Sequence, residues 1–230
     1  MRTVAVIPAF NCENSVAAAV DSLSADPRIS EVIVVDDASQ DATAANAAKA
    51  GARVVRITPN SGKHVALERG FMEAGAVDVL IMVDADTGTS AKQVLELLSP
   101  IEDGVADMVI GVLPSAGKKG GFGFVRDLAA WCIKACSGFE ATAPMSGQRA
   151  LRREVFERCR PMGIGFAVDA ALTSDAVNAG FRVIEKPVAM THDHRGRSIM
   201  GFAHRARQGW HIVITFVPRL LRGGRTARER

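Results

Sequence analysis

Val79-Leu80-Ile81-Met82-Val83-Asp84-Ala85-Asp86 is the stretch on which the reading of this chain turns. Five consecutive apolar residues fit a short strand covered on both faces. Two carboxylates then stand two residues apart, where that strand would leave the core. In extended chain, residues i and i+2 point to the same side, so Asp84 and Asp86 could face one cation or one diphosphate. Hard divalent ions such as Mg²⁺ and Mn²⁺ prefer carboxylate oxygen and often complete their shell with substrate phosphates. The same residues also read as a strand followed by a polar turn that caps a helix, and the spacing alone does not choose between the two.

Working outward, strand and helix signals alternate. Strand-like runs fall at 3–7, 31–35, 53–57 and 108–112, besides 79–83. Helical spacing falls at 13–23, where Val16, Ala19, Val20 and Leu23 form one stripe, and at 41–50, 63–75 and 90–98. Pro8 and Asp36-Asp37 are expected to end the first two strands, and Gly51 to stop the second helix. Continuous Val/Ile/Leu strands separated by helices imply parallel strands covered on both faces, and ligands of such sheets bind beyond the carboxyl ends of the strands. Pro8-Ala9-Phe10-Asn11, Asp36-Asp37-Ala38-Ser39, Pro59-Asn60-Ser61-Gly62-Lys63 and Asp84-Ala85-Asp86 are the segments at those ends.

The second half is less regular. A glycine- and lysine-rich loop is expected at 117–123, helices at 131–136, 150–159 and 169–179, a short strand at 182–184 with an extension at 187–190, and a last helix over 199–221 interrupted by Pro218. The 230 residues fit one domain, 1–221, with a regular α/β half at 1–112, a less regular half at 113–198 and a C-terminal helical segment at 199–221, followed by a basic tail at 222–230.

Composition narrows the classes. Apolar residues make up 48% and charged residues 23%, enough for a full core and unlike a disordered chain. The four cysteines include no C-x-x-C pair, which argues against a disulfide framework or a structural zinc site. No signal peptide opens the chain and no run approaches the roughly 18–20 apolar residues of a membrane span, so a cytoplasmic protein is expected. The net charge of +3 is unevenly placed: nine arginines and one acid, Glu229, give +8 over 195–230, leaving −5 on residues 1–194. Such a tail suits phosphates or an anionic lipid surface, and equally a solvated helix. No aromatic-studded basic groove is visible, so no nucleic-acid partner is expected.

Two nucleotide signatures fail. There is no G-x-G-x-x-G after the first strand, and Gly62-Lys63-His64 lacks the hydroxyl and upstream glycine of a phosphate-binding P-loop. What the chain does resemble is the family 2 glycosyltransferases of GT-A fold. The likeness rests on Val6-Ile7-Pro8-Ala9-Phe10-Asn11, Val34 to Thr43 with its Asp36-Asp37-Ala38-Ser39, Asn60-Ser61-Gly62-Lys63 and Val83-Asp84-Ala85-Asp86, in this order and spacing. Ser146-Gly147-Gln148-Arg149, Gly165-Phe166-Ala167-Val168-Asp169 and Thr191-His192 to Arg197 extend it over nearly the whole chain. The chain is similar both to glucosyl-3-phosphoglycerate synthases and to dolichyl-phosphate mannosyltransferases.

The resemblance implies an α/β nucleotide-diphospho-sugar transferase fold, an open, mostly parallel sheet flanked by helices. It implies an enzyme, a metal-dependent inverting glycosyltransferase moving a hexose from a nucleotide diphosphate sugar, UDP-glucose first, to a small-molecule, glycan or polyprenyl-phosphate acceptor. Pro8 and Asn11 would begin the loop over the nucleotide, Glu13 and Asp37 would accept hydrogen bonds from base or ribose, and Lys63 would reach the diphosphate or base. Glu13 also suits the first turn of a helix. Asp86 would bind Mn²⁺ or Mg²⁺ with His192 as second ligand, His194 competing for that role, and Asp84 would lie nearer the ribose or sugar. Arg195 and Arg197 would clamp the diphosphate, with Ala85 and Arg149 completing the nucleotide-sugar contacts. Asp169 would be the base for a hydroxyl acceptor, or would orient a phosphate acceptor whose oxygen is already ionised. A non-catalytic nucleotide-sugar-binding protein and a sugar-phosphate nucleotidyltransferase are the alternatives. The C-terminal helix could make a peripheral contact at the inner face of the membrane, a homodimer contact, or pack on the domain.

Overall fold

Strands buried on both faces build the molecule. The computed structural model describes residues 1–114, 123–191 and 201–226, with the side chains of the last segment described over 208–221. The first half runs β1 (Thr3–Ala9), α1 (Val16–Ser24), β2 (Ile29–Asp37), α2 (Thr43–Lys49), β3 (Arg53–Ile57), α3 (Lys63–Glu73), β4 (Val79–Met82), a 3-10 segment (Ala85–Leu97), α4 (Ser99–Glu102) and β5 (Met108–Val112). The second half runs α5 (Gly123–Ser137), β6 (Arg149–Arg152), α6 (Arg153–Arg158), a 3-10 turn (Gly165–Ala167), α7 (Val168–Asn178), β7 (Val183–Pro187) and α8 (Gly201–Thr226).

The strands form one seven-stranded sheet in the order β3-β2-β1-β4-β6-β5-β7, in which only β6 runs antiparallel to its neighbours. Ala5, Ile7, Val34, Val79 and Ile81 face one core, shared with Val16, Val20 and Leu23 of α1 and with Val94 and Leu97. Val4, Val6, Val35, Leu80 and Met82 face the other, shared with Leu67 and Phe71 of α3 and with Phe156 and Leu172. Strand side chains alternate with period two, so each strand feeds both layers. The order reverses beside β1: β2 and β3 lie on one side and β4 on the other. A crevice at such a switch point, beyond the carboxyl ends of β1 and β4, is where open α/β sheets hold ligands.

Four expectations about elements are corrected. β2 does not stop before the acid pair but includes it, because Asp36 is satisfied by the Ser39 N–H at 3.1 Å and by Arg56 at 3.1 Å, and Asp37 by two further N–H groups. The stretch 150–159 is not one helix: Ala150 and Leu151 fill the rung between β4 and β5, and the helix starts only at Arg153. The helix expected at 90–98 belongs to the longer 3-10 run, kinked at Gly88 (φ 50°, ψ −136°). Pro218 lies inside α8 without interrupting it, and the Arg219 guanidinium donates to the neighbouring Thr215 carbonyl at 2.8 Å.

Close packing of α3 on the sheet depends on Gly70. A Cβ there would lie 2.9 Å from Val35 Cγ2 and closer still to Val6 Cγ1. These are β-branched side chains of two central strands and cannot yield without moving the sheet. Gly70→Ala should therefore lower unfolding stability by about 1–3 kcal/mol, despite alanine's better helix propensity. Urea denaturation of both proteins checks this; equal midpoints would contradict it.

Candidate active site

The site starts from how Asp37 holds the chain ahead of α3. Its carboxylate accepts the Ser61 and Gly62 N–H groups, both at 2.7 Å, and its carbonyl accepts the Asn60 side-chain amide at 2.8 Å. Gly62 turns the chain at φ 88° into α3. Lys63 is thereby directed at the end of β4, where its Nζ lies 2.9 Å from Asp84 Oδ1 and 3.2 Å from Asp169 Oδ2. One ammonium thus bridges carboxylates from the two halves of the chain.

Each carboxylate has further support. Gln148, fully buried, donates its amide to Asp84 Oδ2 at 2.9 Å and accepts the Asp84 N–H at 3.3 Å. Asp169 stands in the first turn of α7, 4% exposed, and its Oδ1 has no hydrogen-bond partner among the described residues. Arg149 is fully buried nearby; its Nε donates to the Ser146 carbonyl at 2.8 Å and its Nη1 to Thr173 Oγ1 at 2.8 Å, while Thr173 donates to the Asp169 carbonyl at 3.1 Å. Its Nη2 has no partner among the described residues. Two cations and two anions therefore share one pocket in near balance.

Burial sets the protonation of this group. It opposes the charge of Lys63, but the attraction of Asp169 and Asp84 outweighs that and holds the ammonium above its ordinary value. For Asp169 burial is the larger influence, and with the repulsion of Asp84 it pushes the carboxyl up even though Lys63 and Arg149 pull it down. Burial also depresses Arg149. A buried carboxylate with an open oxygen and a raised pKa suits both proton acceptance and orientation of an acceptor.

The donor-side loops are zipped to one another. Asn11, at φ 51°, donates its N–H to Ser39 Oγ at 3.0 Å and accepts the Gln40 N–H at 2.9 Å. Glu13 Oε2 accepts the Ala42 N–H at 3.0 Å, and the Glu13 carbonyl accepts the Asn46 amide at 2.9 Å. Glu13, Asp37 and Asn11 thus brace the rim of the crevice, with Pro8 half-buried at the end of β1. Carboxylate and amide oxygens retain lone pairs for a ligand.

Three readings change. The argument that Asp84 and Asp86 share a side requires extended chain, but extension ends at Asp84 (φ −75°, ψ 140°) and Ala85 starts the 3-10 segment. Asp84 pairs with Lys63 and Gln148, while Asp86 stands half-buried two residues on. The Ala85 methyl is buried in the core, so only its backbone could meet a ligand. Arg149, expected among the nucleotide-sugar contacts, is fully buried and stands beside Asp169 as a counter-charge. Gln148 and Gly147 were not singled out in the sequence, although both belong to the quoted Ser146-Gly147-Gln148-Arg149. His192, His194, Arg195 and Arg197 lie outside the described residues.

A metal fits this site in part. Among the described residues no three His, Cys, Asp or Glu side chains gather around a common point. Asp86, half-buried in the first turn of the 3-10 segment, is a carboxylate, the donor type of a hard cation held largely by phosphates. Thr191, the residue before His192, is tied to Ser90, four residues beyond Asp86: its N–H donates to Ser90 Oγ at 3.1 Å, and that hydroxyl donates back to the Thr191 carbonyl at 2.9 Å.

The family model described as glycosyl transferase family 2 matches residues 4–165, which take in the switch-point strands, Lys63, Asp84 and Gln148. The chain belongs to that family. This family 2 chain is 30% identical to an undecaprenyl-phosphate mannosyltransferase of Micrococcus luteus over 219 residues, 87% of the chain and 88% of the relative. It is 29% identical to a polyprenol monophosphomannose synthase of Mycolicibacterium smegmatis, over 86% and 81% respectively. Among solved structures, glucosyl-3-phosphoglycerate synthase from Mycobacterium tuberculosis in complex with phosphoglyceric acid superposes with a TM-score of 0.79 at 24% identity, covering 95% of this chain and 80% of that one. The same enzyme with Mn²⁺, UDP-glucose and phosphoglyceric acid gives 0.76 at 24%, over 95% and 79%. The fold is thus of GT-A type, and the family 2 chain is a glycosyltransferase.

The ion cluster predicts a signed pH effect. Lys63→Met leaves Asp84 and Asp169 with Arg149 as their one remaining counter-charge in the cluster, at a cost of about 2–4 kcal/mol near pH 7. The raised Lys63 pKa contributes stability that is complete below its unfolded value of 10.5 and is lost only as pH rises through the folded one. Asp169, raised above 3.8, opposes folding increasingly as pH climbs from that value. The deficit of the variant should therefore shrink as pH falls toward 4, and Lys63→Met/Asp169→Asn should recover part of it. Thermal unfolding across pH 4–8 measures both; a pH-independent deficit would show that the cluster is not electrostatic in origin.

Proposed function

We propose that this chain transfers a hexose from a nucleotide diphosphate sugar to a polyprenyl phosphate, with inversion at the anomeric carbon. The observation that carries the reading is the Lys63 bridge between Asp84, on the donor edge of the sheet, and Asp169, on the acceptor-side helix α7. The donor would enter the crevice at the ends of β1 and β4, its base and ribose against Asn11, Glu13 and Asp37 and its sugar near Asp84. Support for a lipid phosphate comes from the two relatives, whose names give polyprenyl-phosphate mannosyl transfer and which match over most of both chains. The sequence alone favoured UDP-glucose; these names make a mannosyl donor the first to test beside it.

A divalent ion, Mn²⁺ or Mg²⁺, would be held by Asp86 and His192, and when bound it would neutralise charge on the leaving diphosphate. The Ser90–Thr191 hydrogen bonds support that pair, since they hold the chain before His192 to the segment that begins at Asp86. Arg195 and Arg197, close behind in sequence, would add guanidinium forks to the same phosphates. Lys63 would hold Asp84 and Asp169 together until the substrates supply compensating charge. A phosphate acceptor brings its own ionised oxygen, so Asp169 would orient that acceptor and need not remove a proton. A hydroxyl acceptor would instead need Asp169 as base. The localisation that follows is a chain working at the cytoplasmic face of a membrane.

Three measurements test the reading. Transfer of radiolabelled hexose from GDP-mannose and UDP-glucose to detergent-dispersed polyprenyl phosphate should occur with Mn²⁺ and stop with EDTA; absence of transfer from either donor would overturn it. Asp86→Ala should remove the extra thermal stabilisation that Mn²⁺ gives with the nucleotide, while leaving the apo melting temperature within a degree or so. Asp169→Asn should lower kcat at least ~10-fold while leaving nucleotide affinity intact, and unchanged turnover would take Asp169 out of the reaction.

A further inference from the structure

α8 carries two apolar faces, and the domain covers only one. On the inner face, Ile212 and Phe216 are buried with Val125, Ala129 and Ile133 of α5. The polar side chains of the same stretch also turn inward. Gln208 and Thr215 are buried, Thr215 Oγ1 accepts the Ile164 N–H at 3.2 Å, His211 Nδ1 accepts the Phe166 N–H at 3.3 Å, and Arg219 pairs with Asp175 at 2.6 Å. Opposite them stand Trp210, Val213, Val217 and Leu221, spaced as one helix face and exposed by 63%, 41%, 47% and 71%. A surface helix ordinarily points its apolar stripe at the core and its polar residues at water. Here a whole apolar stripe points away from the domain, and a contiguous stripe of this kind marks a partner or a membrane. α5, packed against α8, adds exposed Phe124 and Trp131, seven residues apart on one helix face.

We infer that the outer face of α8 is an interfacial surface that seats the chain on an anionic lipid bilayer, an inference that rests on the polyprenyl-phosphate reading above. Charge selects the occupant. The segment from Arg195 to Arg230 holds nine arginines against Glu229, and arginines precede and follow the stripe along the chain at 205, 207, 222 and 225. Basic residues close to an anionic leaflet strengthen attachment to it, and more so at low salt. A second copy docked on the same face would instead bring two such segments together, and like charges oppose that association. Tryptophan, with an apolar body and one N–H donor, suits the depth of lipid headgroups. No described helix is long and apolar enough to cross a membrane, so α8 would lie along the surface. Its inner face holds Ile164 and Phe166, just ahead of Asp169, so the docked helix would keep the acceptor-side loop at the lipid surface.

Co-sedimentation of the full chain with vesicles tests this without any donor or acceptor. The chain should sediment with phosphatidylcholine–phosphatidylglycerol vesicles, weakly with phosphatidylcholine alone, and less as salt is raised. Trp210→Ser combined with Val217→Ser should lower partitioning about tenfold while leaving the melting temperature and its nucleotide-dependent rise in place. The inference is overturned if the unaltered chain stays in the supernatant, if the double variant binds vesicles as well, or if sedimentation velocity shows a dimer that the double variant dissociates. Transfer to detergent-dispersed polyprenyl phosphate needs no vesicle, so failed docking with intact transfer rejects only the surface. Intact docking with no transfer rejects only the acceptor.

Discussion

Lys63 pairs with two carboxylates, half-buried Asp84 and buried Asp169, and much of the site is arranged around that contact. The two are 85 positions apart in sequence, and Asp169 would be costly to bury without a counter-ion. A single ammonium serves both, at 2.9 and 3.2 Å. Its placement is exacting: Asp37 fixes the turn before α3, Gln148 fixes Asp84, and Gly147 leaves no room for a side chain, since a Cβ there would lie 2.5 Å from Asp84 Oδ2. Arg149, buried and bonded to Ser146 and Thr173, supplies the second cation that keeps the pocket near neutrality.

That balance is also what makes the pocket responsive. A nucleotide diphosphate brings negative charge and a divalent ion brings positive charge, so substrate entry would redistribute partners that are paired in their absence. Lys63 reaches the donor edge and the acceptor helix together, which makes it the residue through which the two binding events would feel one another. Asp169 keeps one oxygen open and a raised pKa, a state that costs stability and that sites of chemistry tolerate.

The acceptor side is braced from outside the sheet. α8 uses its polar residues inward, on the loop that leads into α7, and leaves hydrophobic side chains outward. Gly163 and Gly165 permit that contact, because a Cβ at Gly163 would lie 3.1 Å from Thr215 Cγ2 and one at Gly165 would run into the His211 ring. The last helix is thus joined to the loop that leads to Asp169 more closely than its position in the sequence suggests.

Much of the fold was legible in the sequence because it rests on local pattern. Runs such as Val79–Met82 and Val32–Val35 can only be buried strands between helices, and the acids and glycines that follow them mark the ligand edge. The order of the quoted segments was enough to indicate the family. The tertiary structure decided what depends on distant residues meeting. Sequence spacing could not show that the 3-10 segment begins at Ala85 or that Asp84 pairs with Lys63. Nor could it place Arg149 on an antiparallel strand between β4 and β5, buried beside Asp169. It left α8 undecided between packing and exposure, and the structure assigned one face to each. Periodicity is written in neighbouring residues; charge pairing is set by which strands and helices come to lie side by side, and no local pattern encodes that.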